Sequence, residues 1–142
     1  MATFVRQMLS AGSDVVSVTP DTSVYDALRV MAEHNVGAVL VMSGTELKGL
    51  ISERDYARKV ALQGLSSKDT PVRDIMSAKI ICVDPGWTAE QCMALMNERH
   101  IRHLPVLDGG TLVGVISIRD VVKAVVDEQQ FTINALTHYI TG

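Results

Sequence analysis

Apolar and polar positions along the chain follow one pattern that occurs twice. Apolar residues recur at Val24, Ala27, Leu28 and Met31, the i, i+3, i+4, i+7 spacing of an amphipathic helix. The same spacing returns at Ala89, Cys92, Met93 and Met96. Ser23-x-x-Asp26 and Thr88-x-x-Gln91 open these two runs as capping boxes. Ahead of them, Pro20 and Pro85 end short strands expected at 15–18 and 80–83, because proline cannot continue a ladder. Behind each helix, apolar stretches predict strands over 38–42 and 47–51, and again over 104–107 and 112–116. Glycine turns at Ser43-Gly44 and Asp108-Gly109-Gly110 join each pair into a hairpin. A second helix closes each unit, over 53–63 and 118–128, with Gly64 placed to end the first.

Laying residues 18–60 over 83–125, an offset of 65 with no gap, gives thirteen identities in forty-three positions. Gly49, Ile51, Ser52, Arg54 and Asp55 thereby match Gly114, Ile116, Ser117, Arg119 and Asp120. Upstream, Val5-Arg6-Gln7-Met8-Leu9 matches Val72-Arg73-Asp74-Ile75-Met76 at an offset two residues longer. The chain is an internal duplication. Repeat 1 is expected over 5–64, repeat 2 over 72–128, with a linker at 65–71 and a helical tail at 129–142. A β-α-β-β-α unit of this size leaves one apolar sheet face wet if it stands alone. The expected fold is therefore α/β (α+β), one module of two repeats packed sheet to sheet about a pseudo-twofold axis.

Composition narrows the function. The 142 residues are 47% hydrophobic and 20% charged, with a net charge of −3, so a core is available and a basic excess is not. Neither nucleic acid nor a membrane is an expected partner: no apolar run approaches the ~18 residues of a span, and the first nine residues are too short for a signal segment. Cys82 and Cys92 have no ligand spacing and occupy apolar-pattern positions, as buried reduced thiols do. The expected setting is cytoplasmic.

Candidate chemistry is concentrated where each hairpin runs into its second helix. Ser52-x-x-Asp55 and Ser117-x-x-Asp120 each place a hydroxyl and a carboxylate at a strand-to-helix turn. Such a pair can hold a sugar diol with its phosphate near the helix N-terminus. The same pattern is also a helix cap, and the local sequence leaves both readings open. The frames Gly44–Gly49 and Gly109–Gly114 imitate a phosphate loop, but Leu50 and Val115 stand where its lysine is needed. No nucleophile–base pattern or metal-ligand spacing is present, so no enzyme and no catalytic cofactor are expected.

The duplicated unit resembles the cystathionine-β-synthase (CBS) domain pair, or Bateman module. The resemblance rests on Val18-Thr19-Pro20 and Val83-Asp84-Pro85, on His103-Leu104-Pro105-Val106-Leu107-Asp108, and on the two Gly-apolar-apolar-Ser-x-x-Asp stretches. Repeat 1 departs from the pattern at Val39-Leu40-Val41, which lacks the proline, with no loss of fold expected. The resemblance implies a stand-alone regulatory protein that binds an adenine nucleotide (AMP, ADP, ATP or NAD(H)) in clefts between the repeats. Asp55 and Asp120 become the ribose acceptors, with Ser52 and Ser117 close by. By family geometry Asp55 faces Arg102 and His103 with Arg119 near, and Asp120 faces Gly37 and Ala38 with Arg54 near. Adenine is then expected against Leu50 and Val83 in one cleft and Val115 and Val18 in the other, beside Thr19 and Asp84. A homodimer and an unidentified protein target complete the picture. The rival is an interaction or stability module that binds no ligand, its aspartates serving only as caps.

Overall fold

The structure, a computed structural model, describes residues 2–9 and 16–141. Its elements run α1 (Val5–Met8), β1 (Ser17–Val18), α2 (Val24–His34), β2 (Ala38–Ser43), β3 (Glu46–Ser52) and α3 (Glu53–Tyr56). A π-helical turn (Ala57–Ala61) and a 3-10 turn (Val72–Asp74) follow. Then come α4 (Ala89–Arg99), β4 (His103–Asp108), β5 (Thr111–Ser117) and α5 (Ile118–Thr141). The chain divides into two compact units, Val15–Ile80 and a discontinuous one made of Met1–Asp14 with Ile81–Gly142.

In the unit of repeat 1, β2 pairs antiparallel with β3, and β1 adds a parallel edge through Ser17↔Leu40 and Val18↔Val41. Alternation along β2 sends Val39 and Val41 into a core with Val24, Ala27 and Met31 of α2 and Ile51 of β3. Leu40 points to the opposite face and is also fully buried. Repeat 2 copies the hairpin residue for residue, from His103↔Ser117 to Asp108↔Thr111, with its ladder shifting at the same place. Its core gathers Leu104, Val106, Ile116, Cys92, Met96 and Val121.

The two repeats diverge where single residues change the backbone chemistry. The strand expected at 80–83 is reduced to one parallel bridge, Val83↔Val106. In repeat 1, Leu40 N–H donates to the Val16 carbonyl at 3.2 Å. Pro105 stands at that place in repeat 2 and has no N–H to give, so the ladder stops one bond short. The second helices also end differently. Gly64 adopts φ 70° and terminates repeat 1, with Leu65 N–H closing back on the Val60 carbonyl at 3.0 Å. Its counterpart is Gln129, and α5 runs on to Thr141. The helical tail expected at 129–142 is helical as far as Thr141, in one piece with the helix before it, and Gly142 lies outside the described residues.

A larger departure concerns the segments ahead of each repeat. Val5 packs in the core of repeat 2, whereas Val72 and Ile75 pack in the core of repeat 1. Each segment is a strap held by the same backbone bonds on the other repeat. Val5 N–H donates to Trp87 O and Arg6 N–H to Pro85 O, at 2.8 and 3.2 Å. Val72 N–H donates to Thr22 O and Arg73 N–H to Pro20 O, again at 2.8 and 3.2 Å. The first turn of α2 is tied through Val24 N–H to Thr70 O, and that of α4 through Ala89 N–H to Thr3 O. Each compact unit therefore includes the strap that precedes the other repeat in sequence.

The straps explain the glycines of the two matched stretches. A Cβ on Gly49 would stand 2.6 Å from Met76 Sδ and 2.9 Å from the Ser77 carbonyl, and one on Gly114 would stand 2.7 Å from Leu9 Cδ2. Gly49 has a backbone neighbour that cannot swing away, whereas Gly114 meets only the end of a flexible side chain. Gly49→Ala should therefore destabilise the protein by about 1–3 kcal/mol, the range for overpacking, and Gly114→Ala by less. Urea unfolding midpoints of the two variants check this ordering.

Candidate functional site

Each hairpin delivers its last strand residue to the start of a helix. Ser52 lies opposite Ala38 in the ladder, and Glu53 N–H donates to the Gly37 carbonyl at 3.0 Å. Ser117 lies opposite His103, and Ile118 N–H donates to the Arg102 carbonyl at 2.8 Å. These bonds tie the turn on both sides, so the residues that follow leave the sheet in a fixed direction.

At both turns serine and aspartate grip one another. Ser52 N–H and hydroxyl both donate to Asp55 Oδ2, at 2.9 and 3.1 Å, and Asp55 N–H donates back to Ser52 Oγ at 3.2 Å. Ser117 and Asp120 repeat the set at 2.9, 3.0 and 3.2 Å. The capping boxes are therefore formed, and capping leaves part of the chemistry over. The cap itself takes up only Oδ2 of each aspartate. Among the described residues Asp120 Oδ1 has no hydrogen-bond or ion-pair partner, and Asp120 is exposed. The serine proton is committed to the carboxylate, so Ser52 and Ser117 act first as orienting groups for the aspartates.

The remaining expected residues separate into near and far. Within its own unit each mouth brings together the end of one strand pair: Gly37, Ala38, Ser52, Arg54 and Asp55 in repeat 1, and Arg102, His103, Ser117, Arg119 and Asp120 in repeat 2. Arg54, Arg102 and Arg119 are exposed, and Leu50 and Val115 are half-buried. Val18 and Val83 belong to the two cores, at 8% and 3% exposure, and keep almost no surface for a base. Thr19 and Asp84, next along, are engaged in local turns: Thr19 with the Thr22 hydroxyl, and Asp84 Oδ1 accepting Gly86 N–H at 2.7 Å. Cys92 is buried and its thiol pushed up to about 11 by burial, while Cys82 is only half-buried rather than fully so.

His103 was expected beside Asp55, and the carboxylate acting on it within its unit is Asp120. Burial pushes the His103 imidazole below its ordinary value, Asp120 pulls it partly back, and Arg102 lowers it further. One cationic group that sequence reasoning missed is Lys59. It ion-pairs Asp55 Oδ1 at 3.3 Å and donates to the Ile75 carbonyl at 2.9 Å. The i, i+4 spacing from Asp55 was the available signal.

A histidine depressed in the folded state binds protons more weakly there than in the unfolded chain. Its contribution to stability is present above the unfolded value of 6.5 and is lost as pH falls through that value toward the folded one. Stability should thus decline below pH ~6.5, and His103→Gln should remove part of that decline. Urea unfolding between pH 5 and 8 on both proteins measures the difference in slope.

Among the described residues no cluster of three or more His, Cys, Asp or Glu could hold a metal, and no helix is long and apolar enough to cross a membrane. The family model for the CBS domain matches residues 5–62 and 72–127. The mitochondrial CBS domain-containing protein CBSX3 of Arabidopsis thaliana is 44% identical over 138 residues, spanning 94% of this chain and 67% of that protein. A solved protein with CBS domains from Burkholderia ambifaria is 52% identical, covering 92% of this chain and 99% of that one, at a TM-score of 0.85. A CBS domain protein from Pyrobaculum aerophilum, solved complexed with AMP, is 28% identical with a TM-score of 0.74, over 83% of this chain and 89% of that one. With two CBS domains in tandem over most of its length, and relatives that carry the same pair, this chain belongs to the CBS domain family.

Proposed function

We propose that this CBS pair is a regulatory module that binds an adenine nucleotide (AMP, ADP, ATP or NAD(H)) at its Ser-x-x-Asp mouths, and that binding alters its affinity for a protein target. The observation that carries this reading is the state of Asp120. Its carboxylate is aimed by two bonds to Oδ2 while Oδ1 stays open and exposed, as an acceptor for ribose hydroxyls must be. Arg102 and Arg119 supply exposed guanidinium groups at the same mouth for phosphate, beside the positive end of the 24-residue α5. The AMP complex of the Pyrobaculum relative supports the ligand class. A ligand-free interaction module is the second reading, favoured by the completeness of both capping boxes. Mass spectrometry of nucleotide released from the purified protein on denaturation separates the two.

The side-chain chemistry offers a sharper test. In Asp120→Asn the amide oxygen can still accept from Ser117, which turns the NH₂ outward. A donor then stands where hydroxyl protons need an acceptor. Losing hydrogen bonds to a charged acceptor costs about 1.5–3 kcal/mol, so AMP affinity at that mouth should drop roughly 10- to 100-fold while the helix cap persists. Calorimetric titration of AMP into wild type, Asp55→Asn, Asp120→Asn and the double variant checks both mouths. Wild-type affinity and stoichiometry in the double variant would exclude the ribose assignment.

The same reading includes a cytoplasmic homodimer. Along α5, Val122, Val126, Ile133, Leu136 and Ile140 are exposed at 43, 54, 54, 57 and 80%. Val126, Ile133 and Ile140 recur every seventh residue and Leu136 falls at the intervening fourth place, the spacing of a helix-pairing seam. Ending the chain after Glu128 should weaken the dimer, and light scattering across a concentration series measures it. A monomeric full chain at tens of micromolar would reject the dimer.

A further inference from the structure

The two mouths share their serine, their aspartate and the bonds between them, and they part company four residues further on. Repeat 1 has Lys59, and its counterpart in repeat 2 is Ala124, a buried residue. Lys59 is held from two directions. Its Nζ donates to the Ile75 carbonyl of the strap at 2.9 Å and lies 3.3 Å from Asp55 Oδ1. Both oxygens of Asp55 are therefore engaged, Oδ2 by Ser52 and Oδ1 by Lys59, and its side chain is 16% exposed. Asp120 is exposed, and its Oδ1 has no partner among the described residues.

A vicinal diol binds a carboxylate by donating both hydroxyl protons to it. At Asp120 the outer oxygen is ready to accept one. At Asp55 an ammonium already holds that oxygen, so the diol must compete with it or displace it. We propose that Lys59 is a specificity-determining residue that latches Asp55, so that a nucleoside diol occupies the Asp120 mouth first. This inference rests on the nucleotide-binding reading and assigns an order to its two sites.

The test isolates the latched mouth in the full chain. Asp120→Asn removes the open acceptor, and AMP is titrated calorimetrically with and without Lys59→Met, which keeps the aliphatic stem and removes the charge. Releasing a part-exposed ion pair should raise AMP affinity at Asp55 about two- to fivefold. Adenosine should gain by the same factor, because the latch acts on the diol. In the wild-type background Lys59→Met should bring the two affinities closer together. Unchanged affinity on Lys59→Met would overturn the latch. So would a loss confined to AMP, which would make Lys59 a phosphate ligand instead. If wild type binds neither AMP nor adenosine, the nucleotide reading fails and the latch falls with it. Binding that is present but indifferent to Lys59 removes the latch alone.

Discussion

The structure depends on two backbone straps, each fastened within its own compact unit to the repeat it does not directly precede. Three N–H to carbonyl bonds fasten the strap before repeat 1 to repeat 2, and three matching bonds fasten the strap before repeat 2 to repeat 1. Because each strap caps the first turn of a helix and crosses the glycine of a strand, it fixes both at once. In repeat 1 the strap goes further: Leu50 and Ser77 exchange hydrogen bonds at 3.0 and 2.9 Å, adding a rung to the edge of β3 just before Ser52. The position of the serine, and through it the carboxylate of Asp55, is thus set by residues more than twenty places away. Neither repeat owns all the residues of its own core.

Much of this was legible in the residues, and the parts that were not share a cause. Local signals carried the hairpins, the capping serines and threonine, the terminating Gly64, and the pairing of Ser52 with Asp55 and Ser117 with Asp120. Each of these depends on neighbours within a turn or a strand pair. The strap exchange was hidden because similarity between 5–9 and 72–76 shows that two segments are alike and says nothing of where each docks. The loss of the strand at 80–83 required knowing that position 105 must donate to that segment, a long-range fact that turns one proline into a broken ladder. The resemblance put Val18 and Val83 against an adenine ring, and in the structure both side chains lie in the cores of their units.

Electrostatically the mouths are not copies. Repeat 1 keeps a small-residue lip, Gly37 and Ala38, and balances its carboxylate with a lysine. Repeat 2 has Arg102 and a half-buried His103 at the same lip and leaves its carboxylate unpaired by any lysine. The duplicated scaffold preserves the orientation of the aspartate, while single substitutions around it set the charge each mouth presents. Duplication followed by such local divergence lets one architecture present two mouths of different charge without altering the hairpin that builds them.

The absence of a glycine at position 129 has a mechanical consequence. A 24-residue α-helix is a rod about 36 Å long. Asp120 lies in its first turn and Ile140 near its far end, with continuous i to i−4 bonding between. A tilt of about 5° at the Asp120 end would carry the distal end roughly 3 Å sideways, given that length. In repeat 1 the helix stops at Gly64 and has no such reach. Position 129 therefore decides which of the two aspartates sits at the fulcrum of a lever.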